Sequence, residues 1–334
     1  MKNIYGMTFD ELENYFALQG ESKAASKAKL TYNYLYKNNP HDYSKRISAM
    51  LERDFSFAQI EVQRREVSPT AEKFLFGLQN GNSVEAVLMR QSYGNALCIS
   101  TQVGCGMNCA FCKSGNTKHN KKVRDLLPHE MTLQIIAAEK ILAEKIPRVT
   151  LMGIGEPLDN YENVKNFLEV ITHRHGRDTP ARFVTVSTCG LVPGIKRLMA
   201  DAIPCNLAVS LNATEDSTRS RLMPVNNAYP IAELLQTVRE YSAVKSKKTT
   251  LEYVMLGGIN DSDDDAHRLV TLTGGINCYI NLIPYNNTDL GFTRSPPERL
   301  KSFYDILIQG GARAVVRKEF GGEIRAACGQ LTNN

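Results

Sequence analysis

No apolar run in this chain of 334 residues approaches the ~18 consecutive residues that a membrane-spanning helix needs, so a helical membrane protein is not expected. The opening MKNIYGMTFDELENYF is acidic and interrupted, which argues against a signal peptide. Internal repeats and low-complexity segments are lacking. A hydrophobic content of 43% with 22% charged residues excludes wholesale disorder. Neither sign of charge dominates: 40 basic against 35 acidic residues leave a net +5, which permits a nucleic-acid partner without demanding one. The eight cysteines do not form the even framework of a disulfide-rich secreted domain, because four of them fall between Cys98 and Cys112. Without an export signal a reducing, cytoplasmic compartment is expected, with thiols free for metal binding or catalysis.

The length suits about two domains, or one α/β barrel with additions. Residues 8–19, 24–37 and 43–53 read as amphipathic helices, and Glu61 to Glu72 as a charged connector. Phe74 to Leu78 and Val84 to Leu88 flank Asn80-Gly81-Asn82 as a β-hairpin. Strand candidates then follow at Leu97–Thr101, Val149–Met152, Phe183–Ser187, Leu207–Leu211, Thr250–Met255 and Tyr279–Ile283. Helix candidates near 128–145, 161–172, 193–201, 231–242 and 263–273 separate them. This rhythm predicts a parallel sheet with helical crossovers, either an incomplete barrel or an open doubly wound sheet. Polar or small residues gather just after the strands, at Gly155-Glu156, Ser187-Thr188, Ser210, Asn212 and Asn286. The C-terminal ends of parallel strands are where such folds build their sites.

Cys105, Cys109 and Cys112 form C-x3-C-x2-C in a glycine-rich loop directly after the first of these strands. Three thiolates so close in sequence can hold three corners of a cubane and leave its fourth iron open. A structural zinc site completed by His119 is the alternative, but such sites usually pair two C-x2-C halves, and no second half is present. The spacing resembles the signature of the radical S-adenosylmethionine (SAM) superfamily. Phe111 before the last cysteine and Gly153-Ile154-Gly155-Glu156-Pro157 match further elements of that family. More narrowly, the run ALCISTQVGC, Ser187-Thr188-Cys189-Gly190, Arg221-Leu222-Met223-Pro224, Asn281 to Asn286 and the terminal AACGQL resemble one group. These are the radical SAM RNA adenine C2-methyltransferases, the RlmN group, with the carbon 8-directed Cfr group as near relative. The resemblance spans about residue 20 to Leu331.

That resemblance implies a partial (β/α)6 barrel with a small N-terminal helical domain and a C-terminal tail carrying a catalytic cysteine. The expected division is an RNA-binding accessory domain over 1–70, a hairpin linker over 71–90, the radical SAM core over 91–321 and the tail over 322–334. It implies a [4Fe-4S] cluster on Cys105, Cys109 and Cys112, and SAM held by Gly155, Glu156, Ser187, Ser210, Leu211, Asn212 and Asn286. Asn212 stands where many relatives have histidine. Cys328 would take a methyl group from one SAM, and a radical from a second would activate it for addition to carbon 2 of adenosine in 23S rRNA, and in tRNA. Cys98 would resolve the resulting protein–RNA adduct by taking the carbon 2 proton and forming a transient disulfide with Cys328. Glu85 matches the position of a proton acceptor. Carbon 8 is the alternative target.

A flavodoxin or ferredoxin would supply electrons, a thiol reductant would reset the cysteines each turnover, and a monomer is expected. Cys189, Cys205 and Cys278 read as structural. Two basic stretches, Lys113 with Lys118, Lys121, Lys122 and Arg124, and Arg313 with Arg317, Lys318 and Arg325, suit phosphate binding. Lys245, Lys247 and Lys248 read as solvated surface. A non-catalytic RNA-binding protein with a structural metal is the reading from a different class.

Overall fold

Strict alternation along the strands decides the architecture. Leu97, Val149, Leu151, Val184, Val186, Leu207, Val209, Leu251, Tyr253, Ile280 and Leu282 join one large apolar core. The residues between them, among them Cys98, Thr150, Thr185, Ser210, Glu252 and Asn281, are small or polar. Successive side chains of a strand point to opposite faces. One face of the sheet is therefore sealed by helices and the other is left for chemistry. Each fully buried Leu, Ile or Phe contributes roughly 1.5–3 kcal/mol, so the helix-facing half carries the stability.

The computed structural model describes residues 1–37, 44–115, 123–245 and 248–332. Three antiparallel strands come first: β1 (Glu61–Val67), β2 (Ala71–Gly77) and β3 (Ser83–Met89). Seven parallel strands follow: β4 (Ala96–Cys98), β5 (Arg148–Leu151), β6 (Val184–Thr188), β7 (Asn206–Ser210), β8 (Thr249–Met255), β9 (Cys278–Pro284) and β10 (Ala314–Val316). Among the described residues all ten form one sheet in the order β10-β9-β8-β7-β6-β5-β4-β3-β2-β1. The order never reverses, so right-handed crossovers place every helix on the same side. That excludes the doubly wound alternative and leaves an open barrel with six βα units.

Three helices, α1 (Phe9–Leu18), α2 (Ala24–Lys37) and α3 (Lys45–Asp54), build the N-terminal unit. Its own core contains Ile4, Leu12, Phe16, Tyr32, Ile47 and Leu51. Thr8 and Glu11 start α1 with a reciprocal capping box. The unit docks on the barrel where Phe9 stacks on His173, ring centroids 4.3 Å apart. The crossover helices are α4 (Pro128–Leu142), α5 (Tyr161–Thr172), α6 (Val192–Ala200), α7 (Asp216–Leu222), α8 (Ile231–Lys245), α9 (Asp263–Thr273) and α10 (Pro297–Gln309).

The sequence-based expectation fails at Glu61 to Glu72. That stretch is not a connector but contains strand β1, paired antiparallel with β2 and shifted in register between Val62 and Arg64. An edge strand exposed on both faces shows no apolar alternation, and its charges guard the open edge. The expected hairpin is β2 and β3, and it continues the barrel sheet rather than standing apart from it. Tyr43, expected in the third helix, lies outside the described residues.

Candidate active site

The cluster loop starts from a tightly held strand end. Gln134 of α4 accepts from the Ser100 amide and donates to its carbonyl, both at 3.0 Å. The Ser100 hydroxyl donates to the Glu85 carbonyl at 2.6 Å and accepts from the Ile154 amide at 3.0 Å. Gln102–Val103 pairs with Arg124–Asp125 to close the base of the loop. Gln102 also accepts the Glu156 amide at 2.8 Å, which ties the loop to the Gly-Glu-Pro turn. Gly155 in that turn has φ +108°, and a Cβ there would meet the Gln102 amide nitrogen at 2.7 Å. Only glycine satisfies both demands.

Cys105, Cys109 and Cys112 line a cavity of about 170 Å³ together with Gly155, Glu156, Ser187, Ser210, Asn212 and Asn286. The pocket collects residues from the C-terminal ends of β4 to β9, as the sequence suggested. Burial pushes the Cys105 thiol up to about 12, and it raises Cys109 and Cys112 as well. Among the described residues no three His, Cys, Asp or Glu side chains converge enough to hold a single ion. Thiols of a cubane bind separate irons, so a cluster suits this donor set better than a zinc ion does. His119 lies outside the described residues.

Glu156 is buried, and its carboxylate oxygens accept from the Leu158 amide at 3.0 Å and the Cys189 amide at 2.7 Å. Burial raises its pKa against the pull of those amides. Among the described residues no cation is paired with it, so the carboxylate can receive an ammonium group.

Two residues of the expected SAM set behave differently. Leu211 has its side chain in the large core behind the sheet, because strand alternation turns it away from Ser210 and Asn212. Asn212 lines the pocket with φ 57°, a backbone conformation that Asn tolerates better than most residues. Its Oδ1 accepts from the Val254 amide at 2.9 Å, which anchors β8.

The tail folds back across this mouth. The Lys113 amide donates to the Gly329 carbonyl and the Ser114 hydroxyl to the Leu331 carbonyl, both at 2.9 Å. The Thr332 amide donates to Glu85 Oε2 at 2.9 Å. These contacts bring Cys328 beside Cys98, Cys112, Met152 and Arg317 in an adjoining cavity of about 90 Å³. None of the eight cysteines, all of them among the described residues, is joined in a disulfide. Burial first, then the Cys328 sulfur, pushes the Cys98 thiol up to about 12, opposed by Thr150 and Arg317.

Sequence reasoning missed three contributors. Arg317 was expected to face RNA, yet it lines both cavities, beside Cys98 and Cys328 in the smaller one and beside Cys328 and Glu252 in the larger, with the Glu252 carboxylate as opposing charge. It continues β10 through a backbone bond to Leu282, which directs it into the barrel. Cys189 lines the cluster pocket beside Glu156 instead of being merely structural. Arg219 of α7 is 0% exposed and donates to the carbonyls of Cys189, Ser210 and Leu211. Arg219→Ala would leave those carbonyls without donors, and a loss of about 3 kcal/mol is expected in urea unfolding.

Two other basic residues are already engaged, Lys113 with Asp289 and Arg124 with both oxygens of Glu130. Arg313 donates to Asn277, and Lys318 lies over the Phe320 ring. Lys118, Lys121, Lys122 and Lys247 lie outside the described residues.

The Radical SAM superfamily model matches residues 99–270. A protein of Thermoanaerobacter sp. (strain X514), named as a dual-specificity RNA methyltransferase RlmN, is 38% identical over 340 residues, covering 99% of this chain and 98% of its own. One of Acholeplasma laidlawii (strain PG-8A) with the same name is 39% identical over 336 residues, 98% of each chain. The crystal structure of a radical SAM methyltransferase from Sphaerobacter thermophilus superposes with a TM-score of 0.91 at 34% identity, covering 100% of both chains. An open barrel with three cysteines at its mouth is thus the fold and site of a radical SAM enzyme. Within that superfamily the chain belongs to the RlmN family of RNA methyltransferases. Its cofactors are a [4Fe-4S] cluster and SAM.

Proposed function

We propose that this enzyme methylates carbon 2 of adenosine in 23S rRNA and in tRNA, with Cys328 delivering the carbon. The observation that supports this reading is the meeting of Cys328 and Cys98 beside Arg317, next to the pocket that the three loop cysteines line. When bound, the cluster and SAM supply a methyl group and a carbon-centred radical.

Cys105, Cys109 and Cys112 hold the cluster. Glu156 receives the SAM ammonium, and Gly155, Ser187, Ser210, Asn212 and Asn286 shape the remainder of its seat. Cys328 presents its sulfur-borne carbon to the base, and a covalent protein–RNA adduct forms. Glu85 accepts the proton from carbon 2 as one electron leaves the adduct, for which the cluster, when bound, would be the acceptor. Cys98 then attacks the Cys328 sulfur: the sulfur–sulfur bond forms as the carbon–sulfur bond breaks, and the Cys98 proton completes the methyl group. A thiol reductant must then reopen the disulfide, and an electron-transfer protein of the flavodoxin or ferredoxin class feeds the cluster. These partners place the reaction in a cytoplasmic setting. No helix among the described residues is long and apolar enough to cross a membrane.

Nucleoside mass spectrometry on rRNA and tRNA, separately, from cells with and without the gene tests the reading. Loss of 2-methyladenosine from both pools is expected. Loss of 8-methyladenosine instead would move the chemistry to the other carbon. No change in either pool would overturn the substrate assignment.

A further inference from the structure

A base that accepts a proton in every turnover must also lose it, and Glu85 is only 1% exposed. The tail blocks one side, where Thr332 occupies its Oε2. On the other side the Lys73 ammonium lies 3.5 Å from Glu85 Oε1. Lys73 is itself buried, and the same nitrogen lies 3.5 Å from Glu66 Oε1 on the edge strand β1, where the Glu66 side chain is 32% exposed.

Sheet register makes this a line rather than a coincidence of three side chains. Glu66 pairs with Lys73, Lys73 with Val87, and Val87 with Cys98. Directly paired residues share a face, and Glu85 lies two residues before Val87 on that same face. The interior of β1 to β4 therefore carries ionisable groups from the solvent edge of the sheet to the reactive thiols.

Resting on the reading of Glu85 as the base, we infer that Lys73 and Glu66 conduct its proton out of the barrel. Glu85 passes the proton to Lys73 as Lys73 gives one to Glu66, and Glu66 releases it to water. Both Glu85 and Lys73 return to their starting charge, so no other reactant is required. Lys73 touches Glu85 rather than RNA and acts through it. An ion pair that merely neutralises a buried carboxylate would look the same at rest. The two roles separate on replacement by arginine, which keeps the charge but does not give up its proton.

The experiment follows successive turnovers of holoenzyme with excess RNA, quenched at intervals, with methylated adenosine counted per enzyme and the covalent adduct followed on denaturing gels in H2O and D2O. Iron content and melting midpoint matching wild type certify each variant. In Lys73→Arg the first turnover is expected at the wild-type rate, because Glu85 has yet to take a proton, while later turnovers run about tenfold more slowly with an enlarged solvent isotope effect. Glu66→Gln is expected to slow the later turnovers in the same direction by a smaller factor. Later turnovers of Lys73→Arg within about twofold of wild type overturn the relay and leave Lys73 a counter-ion. Glu85→Gln reports separately on the underlying reading: its adduct is expected to persist longest. If Glu85→Gln decays normally, the assignment of the base falls and the relay with it.

Discussion

In Cys328→Ala, methylated adenosine is expected to fall by at least about a thousandfold, below detection in a discontinuous assay, because the methyl carrier itself is removed. The tail should stay in place. Its anchors are backbone groups, the Gly329 carbonyl on the Lys113 amide, the Leu331 carbonyl on Ser114 and the Thr332 amide on Glu85. The cluster should load as in wild type, since Cys328 is not on the loop that holds it. Iron and sulfide analysis paired with nucleoside mass spectrometry separates loss of chemistry from loss of cofactor. Methylation at a tenth of the wild-type rate would mean that the carbon reaches the base without Cys328.

Cys98→Ala should fail later in the cycle. The adduct forms, but no neighbouring thiol can attack the Cys328 sulfur, so protein and RNA remain joined. A band that survives denaturant and collapses on ribonuclease treatment is the expected result, with turnover reduced to background. Cys98 packs with Val87, Met89 and Ala96 on the interior face, where losing one sulfur costs about 1 kcal/mol and should not unfold the sheet. Free RNA and unmodified protein in this variant would remove Cys98 from the resolving step. Combining both substitutions should give no adduct at all, which orders the two events.

These effects were readable from spacing and composition because they depend on rare residue types in short motifs. The six strands from β4 to β9 were legible for a related reason: their outward residues are branched or aromatic and most of their inward ones are small or polar. The strands at the two edges of the sheet were not. β1 reads EVQRREV and meets solvent on both faces, while β10 is three residues long with Val315 and Val316 half exposed. Helix α7, DSTRSRL, is short and polar, and its reason to exist is the buried Arg219 that gathers loop carbonyls. Arg317 looked like one more cation in a basic run, and only the pairing of β10 with β9 turns it inward. Leu211 was misjudged by a single position, since a motif names neighbours in sequence but a pleat separates them. Lys73 gave no signal in sequence, for its meaning lies in sheet register across β1, β2 and β3.

The separation of faces has a consequence for how such a protein can change. Along each parallel strand, alternate positions answer to the helices and the positions between them answer to the reactants. A lineage, or an experimenter, could rewrite Thr150 and Thr185 with little penalty in folding, because the helix-packed core would not register the edit. The barrel is then a reusable frame whose lining is exchangeable, and new reactions are open to it without a new fold.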